Sequence, residues 1–172
     1  KLKHPHIVDI LEAFEANNTC YYVMEYLEGG SFDSYIKAEN GLSESEALTC
    51  IRQIGEALQF MHNNRMLHLD LKPKNIMRRK DGSIVLIDFG LSKQYNSQGE
   101  PETSTAIGYG TPGYAPIEQS CYRDGEGFPI TIDIYALGAT LFKTLTGKTP
   151  PNASNIMNYG FPEAELQERN IS

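Results

Sequence analysis

The chain has 172 residues, of which 40% are hydrophobic, and this length and composition predict one globular domain rather than a disordered segment. A formal net charge of −7 excludes a broad electrostatic surface for nucleic acid or anionic lipid, since either partner would be repelled at long range. No apolar run reaches the roughly 18 residues that a membrane-spanning helix needs, so we expect no membrane segment in this chain.

The chain opens with the pattern of a β-hairpin. Residues 7–11 and 21–26 are short apolar and aromatic runs, and the Asn17-Asn18 turn signal lies between them. After this hairpin, Ser31 can cap a short helix through residue 36, because its hydroxyl can accept hydrogen bonds from exposed backbone amides. The sequence thus changes from strand to helix at this point.

A long helix and a second hairpin are predicted next. Residues 43–46, Ser-Glu-Ser-Glu, fit a capping box, and apolar residues then recur at three- and four-residue spacing. The members of this stripe are Leu48, Ile51, Ile54, Leu58 and Met61. Farther on, the apolar residues 76–77 and 84–87 flank Asp81-Gly82, a turn pair that tolerates positive φ. We therefore expect a half-buried helix followed by a tight hairpin.

The second half of the chain combines a long loop with one clear helix. Residues 91–123 are rich in Gly, Pro, Ser and Thr and show no sustained period, which predicts a long loop of a kind that is usually functional. An apolar helix follows and ends near Gly147, because Pro150-Pro151 prevents its continuation. Its apolar members are Ile132, Tyr135, Ala136, Ala139, Leu141 and Phe142. The tail, residues 152–172, is expected to be weakly helical at best.

The strongest chemical signal is a set of polar residues around the second hairpin. Residues 68–75 read His-Leu-Asp-Leu-Lys-Pro-Lys-Asn, and residues 88–90 read Asp-Phe-Gly at the end of a hydrophobic strand. Taken singly, Asp70 could be a turn aspartate, Lys72 a solvated lysine and Asn75 a capping asparagine. Ordinary roles for all of them at once are very improbable. Together these residues resemble the signature of the protein kinase family.

The resemblance implies transfer of a phosphoryl group from ATP to a hydroxyl group. This reaction needs a group that orients and deprotonates the acceptor, a cation beside the migrating phosphoryl, and oxygen ligands for Mg²⁺. The resemblance assigns the first role to Asp70 and the second to Lys72. It assigns the metal to Asn75 and Asp88. We therefore expect ATP and Mg²⁺ to be the cofactors of the site.

The same resemblance extends to the nucleotide side of the site. Residues 24–27 look like the hinge of the family, which implies that the backbone groups of Glu25 and Leu27 face adenine. Met77 would form the floor beneath the base. The hydrophobic column that links the two lobes of the family would contain Ile10, His68 and Phe89.

The region beyond the hairpin resembles the substrate-positioning loop of the family. Residues 110–118 match that loop, although Glu118 is the only matching member of its closing Ala-Pro-Glu triplet. Asp133 matches the aspartate that braces the catalytic loop from below, so we interpret it as structural. Lys72 together with Gly110-Thr111 looks like a serine/threonine rather than a tyrosine kinase.

Leu69 departs from the pattern of the family, which usually has an arginine at this position. That arginine pairs with a phosphorylated residue of the activation loop. Phosphate on Thr103, Ser104 or Thr105 would lack this charge partner here. We therefore expect activation that does not depend on phosphorylation of this loop.

Three other patterns suggest sites that their context does not support. Residues 108–113 satisfy Gly-x-Gly-x-x-Gly, yet no strand leads into them and Pro112 lies inside the pattern. His4-x-His6 and His68-x-Asp70 lack a third metal ligand at recognisable spacing. Residues 78–80, Arg-Arg-Lys, are expected to be a solvated flank of the second hairpin.

The predicted fold class is α+β, protein-kinase-like, with a mostly helical large lobe and a remnant of the β-rich small lobe. We expect a partial protein kinase domain over residues 1–172, with residues 1–26 as the small-lobe remnant, 27–30 as the hinge and 31–172 as an incomplete large lobe. The glycine-rich loop, strand lysine and helix glutamate of the family have no match here, and the family continues past the region of Ser172. Truncation at both ends is therefore expected, and the isolated chain is expected to be inactive.

The function expected of the complete parent protein is transfer of the ATP γ-phosphoryl group to serine or threonine hydroxyls of a protein substrate. Nucleic acid is not expected as a partner, and the oligomeric state stays open. Cys20, Cys50 and Cys121 are odd in number and lack metal-ligand spacing, which favours reduced thiols and a cytoplasmic location. Two alternatives remain: a noncatalytic pseudokinase or interaction module, and a metal-dependent phosphohydrolase that releases phosphate without an acceptor.

Overall fold

The first two strands form the hairpin that the Asn17-Asn18 signal predicts. The structure is a computed structural model that describes residues 3–88, 92–102, 110–121, 129–169 and 171. Strand β1 (Ile10–Ala16) pairs with β2 (Thr19–Met24) in an antiparallel sheet. Asn17 and Asn18 adopt φ of 52° and 56°, which suits a two-residue loop between twisted strands. β1 begins later than predicted, because Val8 N instead donates to Leu86 O at 2.9 Å.

Helices α1 (Phe32–Glu39) and α2 (Glu44–Asn63) begin at the predicted serine caps. Ser31 Oγ accepts from Ser34 N at 3.1 Å, and Ser43 Oγ accepts from Glu46 N at 3.3 Å. Each bond satisfies one of the amides left open at a helix N-terminus. α1 runs to Glu39 rather than to residue 36, and it ends at Asn40, whose φ is 52°.

The main hydrophobic core lies where α2 packs against α4 (Thr131–Thr146). The buried residues of α2 are Ala47, Cys50, Ile54, Ala57, Leu58 and Met61. The prediction that Leu48 belongs to the buried face was wrong, since this residue is 47% exposed. At 3.6 residues per turn it lies roughly 120° round the helix from Ile54. α4 ends at Gly147 with φ of 74°, as the sequence predicts.

Two further strand pairs position residues 68–75. β3 (Met66–Leu67) pairs with β6 (Lys93–Gln94), and β4 (Ile76–Arg78) pairs with β5 (Ile84–Leu86). The second pair is the predicted hairpin, and Gly82 in its turn has φ of 85°. Residues 68–75 therefore leave one strand pair and enter the other, with a 3-10 turn at Pro73–Asn75.

Two regions contain more regular structure than the sequence predicts. β6 and α3 (Ile117–Cys121) lie inside the segment that was expected to be a loop. The tail contains α5 (Ala153–Tyr159) and α6 (Glu163–Gln167), so the expectation of weak helicity was wrong. These helices are too short to show a period, and a local cap stabilises the first of them. Asn152 Oδ1 accepts from Asn155 N at 2.8 Å.

The architecture is α+β, as predicted, with three two-stranded sheets and a larger helical part among the described residues. In that part of the chain, no helix combines the length and the apolar character needed to span a bilayer. Cys20, Cys50 and Cys121 are free thiols.

Candidate active site

A buried carboxylate anchors the start of the 68–75 loop. Asp133, in the first turn of α4, has no exposed surface. Its Oδ2 accepts from His68 N at 2.9 Å, and its Oδ1 accepts from Leu69 N at 2.9 Å. His62 Nε2, on α2, lies 2.8 Å from Oδ2. These contacts tie the loop to both core helices, which is what the interpretation of Asp133 as a brace requires.

Leu69 holds an unusual backbone conformation inside this loop. It is 2% exposed and has φ of 65°. The left-handed region costs a residue with a Cβ about 1–2 kcal/mol, so the surroundings must hold the loop in this shape. Asp133 binds the amide of Leu69, and Gln119 Nε2 on α3 donates to its carbonyl at 2.7 Å. The sequence gives no signal for Gln119, because its partner lies 50 residues away along the chain.

Asp70, Lys72 and Thr111 form a closed triangle of hydrogen bonds. Lys72 Nζ lies 2.6 Å from Asp70 Oδ2 and 2.7 Å from Thr111 Oγ1. The Thr111 hydroxyl donates to Asp70 Oδ1 at 2.6 Å. The sequence places Asp70 and Lys72 in one site, and the structure brings them together. The sequence indicates Thr111 only as a feature of the kinase subtype, whereas the structure adds the hydroxyl of this residue to the site.

Asn75 joins the same cluster from the 3-10 turn. Its Nδ2 donates to Asp70 O at 2.9 Å and to Asp70 Oδ2 at 3.1 Å. The backbone carbonyl of Asn75 accepts from Ile87 N at 3.1 Å, which brings Asn75 beside the strand end that carries Asp88. Asp88 is exposed. Burial lowers the pKa of His68, and the nearby carboxylates of Asp133, Asp70 and Asp88 oppose that shift.

The donor set of Asn75 and Asp88 fits a magnesium ion. Because the Asn75 amide nitrogen is directed at Asp70, its side-chain oxygen is the group left to bind a cation. Mg²⁺ prefers hard oxygen ligands and usually takes one or two carboxylates together with substrate phosphates and waters. Among the described residues, no group of three or more His, Cys, Asp or Glu could hold a metal ion, so these two residues would form only part of a coordination shell.

The residues expected at adenine share an apolar cluster and a cleft. Leu27 and Met77 belong to one apolar cluster, whose other members are Val8, Val85 and Ile87. Glu25 N donates to Asp9 O at 3.0 Å at the edge of this region. A cleft of about 330 Å³ beside it is lined by Glu25, Leu27 and residues 79–81, and Asp70 does not line it. The structure therefore brings Leu27 and Met77 into one apolar cluster, and Glu25 and Leu27 line one cleft.

The prediction of a solvated flank at residues 78–80 was wrong for both arginines. Arg79 donates to Glu25 Oε1 at 2.7 Å and to Pro5 O at 2.6 Å. Arg78 Cζ lies 3.5 Å from the centroid of the Tyr35 ring. A guanidinium has a planar fork of donors and can also stack on a ring, so both side chains find partners that a local reading of the sequence does not reveal.

The remaining expectations divide into ordinary contacts and residues outside the described part. The His4 ring stacks on Phe60 with centroids 5.0 Å apart, and His6 Nδ1 lies 2.8 Å from Ile84 O. Glu118, the matching member of the closing triplet, is exposed. Ile10 is half-buried and His68 is buried. Some residues singled out in the sequence lie outside the described part, namely Phe89, Gly90, Thr103, Ser104, Thr105, Gly108 and Tyr109.

Comparison with known proteins shows to which family the chain belongs. The family model described as protein kinase domain matches residues 1–168, and the chain therefore belongs to the protein kinase domain family. It is 40% identical over 144 residues to the serine/threonine-protein kinase PknA of Nostoc sp.. This alignment covers 80% of this chain and 24% of that protein.

Two other relatives give a similar result. The chain is 38% identical over 149 residues to the serine/threonine-protein kinase PrkC of Bacillus subtilis, covering 87% of this chain and 22% of that protein. It is 35% identical over 150 residues to the liver/testis phosphorylase b kinase gamma catalytic chain of Bos taurus, covering 86% of this chain and 36% of that protein. The chain thus spans between 22% and 36% of the length of these curated relatives.

Proposed function

We propose that the protein containing this chain transfers the γ-phosphoryl group of ATP to serine or threonine hydroxyls of protein substrates. The observation that carries this proposal is the hydrogen-bonded cluster of Asp70, Lys72, Thr111 and Asn75. It places a carboxylate, an ammonium and an amide oxygen within reach of one small volume. The names of the relatives, which are serine/threonine-protein kinases, support the choice of acceptor.

In this proposal, Asp70 orients the acceptor hydroxyl and takes its proton. A carboxylate offers about four lone-pair positions for hydrogen bonds. Asp70 Oδ2 accepts from Lys72 and Asn75, while Oδ1 accepts from Thr111. Oδ1 therefore has room for one more donor, which the acceptor hydroxyl would supply. The three existing bonds fix the direction in which that position points, so little reorganisation is needed when the acceptor arrives.

Lys72 and Thr111 hold this carboxylate and supply positive charge. The Lys72 ammonium bridges Asp70 Oδ2 and Thr111 Oγ1, and its side chain is 19% exposed. A cation in such a partly buried position is screened less than one at the surface, so it can stabilise charge on the oxygens of the migrating phosphoryl group. Thr111 ties the substrate-positioning segment to the base and would therefore keep an acceptor chain in register with Asp70.

The remaining expected site residues act on the nucleotide. We assign Asn75 and Asp88 to the magnesium ion, and bound Mg²⁺ would neutralise charge on the phosphate oxygens. We assign the backbone groups of Glu25 and Leu27 to the adenine edge, with Met77 beneath the base. Support for the adenine assignment comes from the shared apolar cluster of Leu27 and Met77.

We also propose that activity does not require phosphate on the 103–105 segment. Leu69 has no guanidinium to pair with such a phosphate. The loop at Leu69 is instead held by two buried contacts, from the Gln119 amide at its carbonyl and from the Asp133 carboxylate at its backbone amide.

The experiment that tests the proposed function uses the complete parent protein, radiolabelled ATP and a serine-containing peptide. Asp88→Asn should lower transfer at least about 100-fold, because the amide has no negative charge to hold the metal. Glu163→Gln removes the same negative charge at an exposed position of α6 and should leave the rate within about twofold. Undiminished transfer by Asp88→Asn would contradict the assignment.

A second variant distinguishes the phosphohydrolase alternative from the proposed kinase. Lys72→Ala should abolish both transfer to the peptide and release of free phosphate, because in the proposal the Lys72 ammonium stabilises the migrating phosphoryl group in either reaction. A hydrolase would keep releasing phosphate without a peptide after this change. A wild-type parent that binds ATP and transfers nothing would instead indicate the noncatalytic alternative.

A further inference from the structure

A cleft next to the Asp70 triangle is lined mainly by lysines. Its volume is about 290 Å³, and it runs from the catalytic loop across the substrate-positioning segment to α4. Its charged lining residues are Lys37, Lys72, Lys74, Lys143 and Asp33. Pro73, Pro112, Tyr114, Thr111 and Thr149 complete the wall. Neither Asn75 nor Asp88 lines this cleft, so it is distinct from the side of the site that we assign to the nucleotide.

The charge of this cleft is opposite to that of the whole chain. Among the residues that the structure describes, four lysines and one aspartate give a formal charge of +3 at the cleft wall, and counting Asp70, which binds Lys72, leaves +2. The chain as a whole carries −7. Lys37 pairs with Asp33 at 2.7 Å. The excess positive charge therefore comes from Lys74 and Lys143.

Lys143 is held in the wall, and no carboxylate of the described residues binds its ammonium. This residue is 5% exposed, and its Nζ donates to Gly147 O at 2.8 Å and approaches Thr149 Oγ1 at 3.5 Å. Burial lowers its pKa, the positive charges of Lys37 and Lys74 lower it further, and Asp33 opposes the shift. Because a largely buried ammonium that faces other cations is costly, an anion in the cleft would be bound favourably.

Of Lys74 and Lys143, Lys74 is the one that is accessible to a ligand. It is exposed on the 3-10 turn between Lys72 and Asn75, and within the described part of the chain it forms no ion pair with a carboxylate. An exposed lysine with no partner can turn toward a ligand at little cost. It would then meet a ligand carboxylate at the mouth of the cleft, while Lys143 attracts that carboxylate from the wall.

We propose that this lysine-lined cleft, made by Lys37, Lys74 and Lys143 beside Lys72 and Thr111, binds an acidic side chain of the acceptor protein and so makes the enzyme select serines or threonines with aspartate or glutamate nearby. The inference rests on the proposed function, because it takes Asp70 to be the point where the acceptor hydroxyl is held. Lys72 and Thr111 bind Asp70 and also line the cleft, so the two positions adjoin. An extended peptide advances about 3.3 Å per residue, so the acidic residue should lie close to the acceptor along the peptide.

The test uses the full-length protein and three fluorescent peptides that differ only in the residues flanking one serine, which are glutamate, alanine or lysine. Affinity is measured by fluorescence anisotropy and transfer by kcat/KM. The glutamate peptide should exceed the alanine peptide by about threefold to tenfold in both, since several lysines act on one carboxylate. The preference should weaken as salt concentration rises.

Charge reversal assigns the preference to this cleft. Lys74→Glu should remove the preference for glutamate and favour the lysine peptide, while Lys3→Glu should leave the order of the three peptides unchanged. Lys3 is a matched control because it is exposed and does not line the cleft. Both residues are at the surface, so neither change should unfold the protein.

The outcomes separate this inference from the proposed function. Equal affinity of the wild type for all three peptides overturns the acidic preference, and it leaves the kinase proposal standing if transfer is seen. A glutamate preference that survives Lys74→Glu unchanged overturns the assignment to this cleft. Selective binding of the glutamate peptide without any transfer would support the cleft and contradict the kinase proposal.

Discussion

The brace at Asp133 allows the most specific prediction, because one buried carboxylate binds two consecutive backbone amides of the 68–75 loop. Asp133→Asn keeps the shape of the side chain and replaces one oxygen with an NH₂ group. Asp133 Oδ1 accepts from Leu69 N, and Oδ2 accepts from His68 N and faces His62 Nε2. Whichever way the amide turns, its NH₂ group meets one backbone N–H, and that donor loses its acceptor.

The size of the effect follows from these contacts. One buried donor without an acceptor costs about 1–3 kcal/mol, and each of the remaining bonds loses about 1 kcal/mol when its acceptor is no longer charged. The local destabilisation should therefore be about 3–5 kcal/mol. In the orientation that places the NH₂ group at Leu69 N, Leu69 at φ of 65° would relax to an ordinary conformation because its amide is released. Asp70, the next residue, would move with it, and a shift of about 1 Å can cost about 100-fold in rate.

Hydrogen exchange read by mass spectrometry in the full-length protein measures this effect directly. A loss of about 3–5 kcal/mol predicts that residues 66–72 exchange about 10² to 10⁴ times faster in Asp133→Asn. Asp81→Asn is the control, because Asp81 is exposed, lies in the turn between β4 and β5 and should leave this segment unchanged. Exchange within threefold of wild type, with transfer activity retained, would refute the role of Asp133.

Three other predictions concern the loop contacts and the buried thiol. Gln119→Leu removes the donor to Leu69 O and should destabilise the domain by about 1–3 kcal/mol with a parallel loss of transfer; an unchanged denaturant midpoint would contradict this. Phosphatase treatment of the full-length protein should leave its transfer rate within about twofold, because Leu69 cannot pair with a phosphate; a tenfold loss would count against it. Burial raises the pKa of Cys50 from 9.0 to about 11, so domain stability should hold below pH 9 and fall from there toward pH 11, as the unfolded thiol ionises first. Cys50→Ala should reduce that fall, and an identical pH profile would contradict the assignment.

The features that the sequence predicts are those set by neighbouring residues. The Asn17-Asn18 turn, the serine caps at Ser31 and Ser43, and the stop at Gly147 each depend on conformations that a few adjacent residues decide. The convergence of Asp70 and Lys72 is likewise local, because they are separated by a single residue.

The features that the sequence does not predict depend on contacts between distant segments. Gln119 bonds to Leu69, Arg79 pairs with Glu25, and Thr111 joins Asp70, and none of these pairs has a local signature. The error at Leu48 has a different origin. Ala47 and Cys50 are small, so a search for large apolar residues shifts the buried face of α2 away from the side that packs on the core.

Asp70→Asn in the full-length protein tests directly whether Asp70 is the base of a serine/threonine phosphotransferase. The asparagine amide can still accept from Lys72 and Asn75 through its oxygen and donate to Thr111 through its nitrogen, so the fold should be kept. We expect Asp70→Asn to lower kcat for transfer from ATP to a serine peptide by at least about 100-fold, with ATP affinity within about twofold of wild type. Transfer at the wild-type rate would contradict it.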